Sequence, residues 1–180
     1  AQNYLLGLPN DIKALLLVEV HKDAQKVKAV FRDFATTYSP PEPTSGGTHG
    51  GELIAVKAHI HSSNIDKDVL ELLDNNFPPR RFAARIIHFK GLSILFITVY
   101  LWCSEGLSHR NNIILHQIQL LKRILQLPFI ILGDFNIPLA EFSQSGWMQR
   151  LSAKAIDPGV TTTLSTHASR AIDFGLISTE

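Results

Sequence analysis

The stretch from Phe82 to Trp102 constrains the fold most strongly, because it holds two apolar, β-branched runs separated only by Lys90-Gly91. The runs read FAARIIHF and LSILFITVYLW, and a two-residue gap that contains glycine is typical of a tight hairpin. Elsewhere the chain alternates strand-like and helix-like segments. A sheet that contains this hairpin has antiparallel neighbours, so a purely parallel sheet is excluded.

The segments before the hairpin predict two strands, a helix and a long loop. Residues 14–20 (ALLLVEV) and 52–60 (ELIAVKAHI) are apolar enough for strands buried in a sheet. Residues 23–34 repeat apolar side chains at helical spacing, and Asp23 is a suitable N-cap. Residues 39–51 (SPPEPTSGGTHGG) are rich in Pro and Gly, which predicts the main loop.

The remaining patterns predict further helices and strands. Ser108 can cap the clearest amphipathic helix, HRNNIILHQIQLLKRILQL. Short helices are predicted at 66–77 and 145–151, and strands at 129–132, 161–166 and 171–178.

Length and composition indicate one globular domain. The chain has 180 residues, an ordinary domain size, and 45% hydrophobic against 18% charged residues is far from the balance of disordered chains. We expect a single domain over 1–180, and the absence of an initiator methionine indicates a processed, excised or partly observed chain. The longest apolar run, 92–103, is shorter than the roughly 20 residues that a membrane span needs.

Charge and cysteine content narrow the classes of partner. A net charge of +1 provides no global attraction to nucleic acid, so any phosphate binding must be local. The pair Arg80-Arg81 is expected to be solvated surface charge. The single cysteine, Cys103, excludes an internal disulfide and a multi-cysteine zinc site, and it favours a reducing intracellular compartment.

Three acids interrupt or end apolar strands: Glu19, Asp134 and Asp173. A buried carboxylate is costly unless it is paired, hydrogen-bonded or bound to a metal, and clustered carboxylates suit Mg²⁺ or Mn²⁺. Taken alone, each acid has a simpler interpretation as a turn former or helix cap. In the motif GDFN, Gly133 is expected to permit a tight turn, and Asn136 can supply an amide to a phosphate oxygen.

Five ordered motifs between residues 14 and 178 resemble the endonuclease/exonuclease/phosphatase superfamily, which includes apurinic endonucleases, DNase I-like enzymes and the endonuclease domains of non-LTR retrotransposons. The motifs are ALLLVEVH, GGELIAVK, LFITVYL, IILGDFNIP and RAIDFGLIS. The segments GLSHRNNIILHQIQLL and SGWMQRL look most similar to the retrotransposon branch. The resemblance implies an α/β (α+β) fold with two mixed β-sheets packed as a sandwich and helices outside, without the family's first and last strands.

The resemblance also implies roles for five residues. Glu19 corresponds to the ligand of Mg²⁺ or Mn²⁺, and Asp134 to the acid that orients or deprotonates the attacking water. Asn136 and Tyr100 correspond to contacts of the scissile phosphate, although Tyr100 alone has an equal interpretation as a packed strand aromatic. Asp173 corresponds to the acid that orients a catalytic histidine.

Two family elements have no match in the sequence, namely an N-terminal strand ending in Asn and a C-terminal Ser-Asp-His, so the resemblance implies a domain that is incomplete at both ends. Of the histidines present, His49 and His167 are candidates to replace the missing one. The carboxylate–imidazole pair of the family fixes the tautomer and charge of that histidine.

Two functional hypotheses follow. The first is a divalent-metal-dependent phosphodiesterase, foremost a DNA endonuclease that works in the nucleus if it is of the retroelement type, with other phosphate esters as alternative substrates. The second is a catalytically inactive relative that serves as a structural or interaction subunit. In that case a protein partner would cover unpaired sheet edges.

Overall fold

The computed structural model describes residues 11–44, 47–74, 80–164 and 169–179. Its helices are α1 Ala24–Val30, α2 Lys67–Asp74, α3 His109–Leu125, α4 Leu139–Gln144 and α5 Trp147–Leu151. Its strands are β1 Ala14–Leu17, β2 Phe34–Ser39, β3 Glu42–Thr44, β4 Gly47–His49, β5 Glu52–Lys57, β6 Ser62–Asn64, β7 Phe82–Phe89, β8 Leu92–Tyr100, β9 Phe129–Asp134, β10 Ala153–Ile156, β11 Thr163–Leu164, β12 Ser169–Arg170 and β13 Asp173–Ser178.

Two sheets organise these strands. The larger sheet has the order β10-β13-β9-β8-β7-β6, and the smaller has the order β1-β5-β2. Strands β8 and β9 are parallel, whereas the other neighbouring pairs of the larger sheet are antiparallel, so this sheet is mixed. The smaller sheet is antiparallel across its described strands. The hairpin predicted at Lys90-Gly91 is confirmed, with Phe89 paired to Leu92.

Strand β5 shows how the layers stack, because it is buried on both faces. Leu53 and Ala55 pack against helix α1 in one apolar cluster. Ile54 and Val56 point the other way, into a cluster that includes residues of β7 in the larger sheet. Alternate residues of a strand face opposite sides, so α1 lies outside the sandwich and the two sheets pack face to face. The predicted α/β sandwich is therefore confirmed.

Helix α3 covers the outer face of the larger sheet. Its N-terminus lies where the sequence predicts, since the Ser108 side chain accepts a hydrogen bond from the Asn111 N–H. Ile114 and Ile118 of the helix share the largest apolar cluster with Ile97 of β8 and Ile131 of β9. Burial of this apolar stripe fixes the helix on the sheet.

Some predicted boundaries are wrong. The helix predicted to Phe34 ends at Val30, and Phe34 begins strand β2. The predicted loop contains the β3–β4 ribbon. Part of the helix predicted at 66–77 and part of the strand predicted at 161–166 lie outside the described residues. No helix within the described ranges is long and apolar enough to cross a membrane.

Candidate active site

Three predicted site residues lie in one row across the larger sheet. Tyr100 at the end of β8 is the register partner of Asp134 at the end of β9, and Asp134 is also the partner of Asp173 at the start of β13. Register partners in a sheet point to the same face. We call Tyr100, Asp134 and Asp173 the three-strand row. The sheet register therefore brings together side chains that are far apart in the sequence.

Glu19 reaches this row from the smaller sheet. It follows β1, and its Oε1 accepts a hydrogen bond of 2.7 Å from the Tyr100 hydroxyl. Tyr100 is only 7% exposed. Burial, the hydrogen bond to Glu19 and the nearby negative charges of Glu19 and Asp134 raise the pKa of Tyr100, so its phenol keeps its proton as a donor. The structure thus joins the predicted metal ligand to the predicted active-site tyrosine.

Asp134 has an unusual electrostatic environment. Burial, with smaller contributions from the carboxylates of Asp173 and Glu19, raises its pKa to about 6 against the effect of hydrogen bonds from Asn136. The Asn136 backbone N–H donates to Asp134 Oδ1 at 2.8 Å. A carboxylate whose pKa lies near neutrality is suited to accept a proton from water.

Asn136 lies beside Asp134, but its side chain also has a structural contact. Its Nδ2 donates to the Leu101 carbonyl oxygen at 2.9 Å, which links the turn after β9 to the end of β8. The residue adopts a left-handed backbone with φ 51°. Asparagine tolerates this conformation better than most residues, so it makes the turn while placing an amide near Asp134.

Gly133 has a different role from the predicted one. It is part of strand β9, and it is not among the glycines with a left-handed backbone. A Cβ at this position would overlap the Val99 carbonyl oxygen of the parallel neighbour β8. The glycine of the motif is required by the close approach of these two strands, and the expectation of a turn-forming glycine was wrong.

Asp173 is fixed through its backbone. Its N–H and that of Ile172 donate to the Thr162 hydroxyl at 3.0 and 3.1 Å. Among the described residues, no hydrogen bond joins a histidine to Asp173 or Asp134. His49 is exposed on β4, and His167 lies outside the described residues. The role predicted for Asp173, orienting a histidine, stays a prediction.

Arg81 is a residue that the sequence interpretation missed. It was expected to be solvated, yet it is 3% exposed, and its guanidinium lies 4.7 Å from the Tyr100 ring centroid and 3.8 Å from that of Trp102. Its Nε also donates to the Tyr100 carbonyl oxygen at 3.1 Å. Glu42 is 3.7 Å from Nη1. A buried cation therefore packs directly against the row, a contact that charge spacing in the sequence cannot reveal.

A cleft of about 330 Å³ opens beside Asp173, between β1 and the larger sheet. Its lining is mostly apolar and includes Leu16, Val18, Leu132 and Ile156. Such a lining does not suit a phosphate group.

The donor groups fit a divalent cation of the magnesium type. Within the described parts of the chain, no three His, Cys, Asp or Glu side chains lie close enough together to hold a metal ion by themselves. Mg²⁺, however, is usually held by one or two carboxylates, with water and substrate phosphate completing the shell. The exposed carboxylate of Glu19, with Asp134 nearby, meets that requirement.

Known structures resemble this architecture at low sequence identity. The endonuclease domain of TRAS1, a telomere-specific non-LTR retrotransposon, is 17% identical with a TM-score of 0.58, over 83% of this chain and 69% of that one. An endonuclease/exonuclease/phosphatase family protein from Bacteroides thetaiotaomicron is 13% identical with a TM-score of 0.61, over 94% and 70%. A Staphylococcus aureus beta toxin mutant with bound magnesium ions is 14% identical with a TM-score of 0.60, over 94% and 72%.

No protein-family model and no curated protein sequence matches the chain. The structural similarity nevertheless defines the class of fold, because the neighbours include several endonuclease/exonuclease/phosphatase proteins. The chain has the endonuclease/exonuclease/phosphatase fold, and the resemblance inferred from its five motifs is confirmed at that level. The fold is that of nucleases and related phosphodiesterases.

Proposed function

We propose that this chain is a divalent-metal-dependent phosphodiesterase that cleaves nucleic acid, foremost a DNA endonuclease. The proposal rests on one observation: the Tyr100–Glu19 hydrogen bond brings Glu19 into contact with the three-strand row. The TRAS1 neighbour, described as an endonuclease domain, supports nucleic acid as the substrate class. Because the net charge is only +1, contacts to the substrate backbone are local to the site.

Glu19 is the residue proposed to hold the cation. Its carboxylate is exposed at the end of β1, and the Tyr100 hydroxyl fixes the position of one of its oxygens. When bound there, Mg²⁺ or Mn²⁺ would neutralise negative charge on the scissile phosphate. The beta toxin neighbour with bound magnesium supports the choice of cation.

Asp134 is proposed as the general base. It accepts a proton from a water molecule whose oxygen forms a bond to phosphorus, while the bond from phosphorus to the leaving oxygen breaks and that oxygen takes a proton from solvent. The Asp173 carboxylate raises the pKa of Asp134 and so makes it a stronger base. Asn136 is proposed to contact a phosphate oxygen through its side-chain amide.

The test compares the nicking of supercoiled plasmid DNA in Mg²⁺ by the wild type, Asp134→Asn and the control Asp33→Asn. Loss of a general base reduces rates by about 10²- to 10⁴-fold, so we expect Asp134→Asn to lose nicking by a factor in this range. Asp33 is exposed between α1 and β2, and its substitution should leave the rate unchanged.

Equal nicking by the wild type and Asp134→Asn would contradict catalysis at this site. The alternative, a catalytically inactive relative that serves as a structural or interaction subunit, would then replace the proposal. Parallel reactions with RNA and with a small phosphate ester identify the substrate class, since the same change should abolish activity on whichever substrate is cleaved.

A further inference from the structure

Glu19 has a backbone conformation that needs external support. Its φ is 56°, in the left-handed region, although it is neither glycine nor asparagine. A residue in this region is strained and persists only where its surroundings fix it. The contacts around residues 18–22, which we call the Glu19 segment, therefore determine where the Glu19 carboxylate lies.

Backbone hydrogen bonds tie this segment to the smaller sheet. The Val20 N–H donates to the Gly51 carbonyl oxygen at 2.9 Å. Within the segment, the His21 N–H donates to the Glu19 carbonyl oxygen at 3.0 Å, and the Lys22 N–H donates to the Val20 carbonyl oxygen at 2.8 Å. The segment is thus a succession of tight turns attached to the residue that precedes β5.

Gly51 allows the segment to approach closely. It is buried with φ 95°, and a Cβ at this position would lie 2.5 Å from the Val20 carbonyl oxygen. Any other residue would push the segment away from β5. Gly51 is therefore required both for its own left-handed backbone conformation and for the position of the segment that carries Glu19.

Tyr38 supplies the side-chain contact to the same segment. Its hydroxyl donates to the Val20 carbonyl oxygen at 3.2 Å and also contacts the Lys22 carbonyl oxygen. Its ring packs against the apolar cluster between α1 and β5, which holds Val27 and Leu53. Because the core fixes the ring, the hydroxyl is a rigid anchor for the residues directly after Glu19.

We propose that Tyr38 is a positioning residue of this site: its hydroxyl, together with Gly51, holds the Glu19 segment so that the Glu19 carboxylate faces Tyr100 and can bind a divalent cation. The part that concerns the cation rests on the proposed function. Tyr38 itself touches neither Glu19's carboxylate nor any residue of the three-strand row. Its effect is transmitted through the backbone of Val20 and Lys22.

The variant Tyr38→Phe removes only the hydroxyl and keeps the packed ring. Residues that orient metal ligands typically change metal affinity by 10- to 100-fold, so we expect calorimetry to give about tenfold weaker Mn²⁺ binding. Amide hydrogen exchange of Val20 should become faster, because the segment opens locally while the fold persists. The thermal midpoint should change little.

The matched control is Thr37→Val, which deletes a hydroxyl from the neighbouring residue of β2. The Thr37 hydroxyl donates to Asn64 Oδ1 at 2.8 Å and accepts from Arg85 Nη1 at 3.1 Å, away from the Glu19 segment. This variant should keep wild-type Mn²⁺ affinity and wild-type exchange of the Val20 amide. Comparison of Tyr38→Phe with Thr37→Val therefore separates an effect on Glu19 from the general loss of hydrogen bonds in β2.

Wild-type Mn²⁺ affinity and wild-type Val20 exchange in Tyr38→Phe would overturn the proposal. Equal losses of affinity in both variants, accompanied by lower thermal midpoints, would also overturn it, since Tyr38 would then act through general stability. If the wild type binds no Mn²⁺, the proposed function fails separately. The exchange of the Val20 amide then decides whether Tyr38 holds the segment.

Discussion

The two halves of the candidate site are held in place by different means. The three-strand row lies on neighbouring strands of the larger sheet, where the ladder between β8, β9 and β13 fixes every residue. The Glu19 segment lies beyond the end of β1 and depends on a left-handed residue, the carbonyl of Gly51 and the hydroxyl of Tyr38. One half is part of the core, and the other is attached to it by a few contacts.

This difference indicates what it takes to displace the residues of each half of the site. The row can move only if the larger sheet opens, which requires unfolding of the surrounding core. The Glu19 segment can be displaced by the loss of a single hydroxyl while the sheets remain intact. Variants in the row should therefore change global stability, and variants near the segment should change cation affinity without unfolding the protein.

The largest expected effect on stability is that of Gly133→Ala. The added Cβ would overlap the Val99 backbone oxygen, so β8 and β9 must separate and the row is disrupted. Overpacking typically costs 1–3 kcal/mol, and a backbone obstacle leads us to expect a loss above about 3 kcal/mol. Urea denaturation followed by circular dichroism measures the change.

Gly175→Ala is the matched control in the adjacent strand β13. Its Cβ would lie 2.7 Å from Leu132 Cδ2, 3.1 Å from Ile156 Cδ1 and 3.2 Å from Ile156 Cβ, and these side-chain atoms shift more readily than a backbone carbonyl. We expect a loss of about 1 kcal/mol. If Gly133→Ala is no more destabilising than this control, the row is not fixed by the close approach of β8 and β9.

A smaller effect is expected from Glu52, which begins β5 beside Gly51. Burial raises its pKa to about 7 from an ordinary value of 4.5, against the attraction of Arg81. The folded protein therefore retains a proton that the unfolded chain releases. The resulting stabilisation is complete below pH 4.5 and is lost as the pH rises to about 7, a change of about 2 kcal/mol between about pH 5 and about pH 7.

Denaturation of Glu52→Gln across this pH range checks the assignment. In this variant the decline in the free energy of unfolding should be smaller by about 2 kcal/mol, and the part due to Asp134, whose pKa is also raised by burial, should remain. Glu141→Gln, which changes an exposed acid on α4, should keep the full decline. An unchanged pH dependence in Glu52→Gln would mean that the carboxylate is ionised in the fold. Arg81 would then be its charge partner near the row.

The sequence predicted the row better than the segment, for a physical reason. Strand ends are marked by the step from apolar residues to an acid, as in FIILGD, and strand neighbours within a sheet share a face. The position of Asp134 beside Tyr100 was therefore accessible from motif and pattern. The left-handed conformation of Glu19 could not be predicted from motif and pattern, because Tyr38 and Gly51 fix it from other parts of the chain.

The dependence on contacts distant in the sequence also explains the errors in the predicted fold. The amphipathic pattern of residues 23–34 does not mark where α1 ends, and strand β2 is stabilised by its pairing with β5 along Phe34–Ser39. The β-prone run FATTYS is the signal that could have revealed it. Arg81 was likewise misread, since its burial depends on Tyr100 at the end of β8 and on Trp102 just beyond that strand.

Glu19 and the three-strand row are proposed to form one divalent-cation site. Calorimetric titration of Mn²⁺ into the wild type and Glu19→Gln, with Asp33→Asn as a control, tests it most directly. We expect a single bound Mn²⁺, with affinity at least about tenfold weaker in Glu19→Gln and unchanged in the control. Equal affinity in the wild type and Glu19→Gln, or no binding by either, would contradict it.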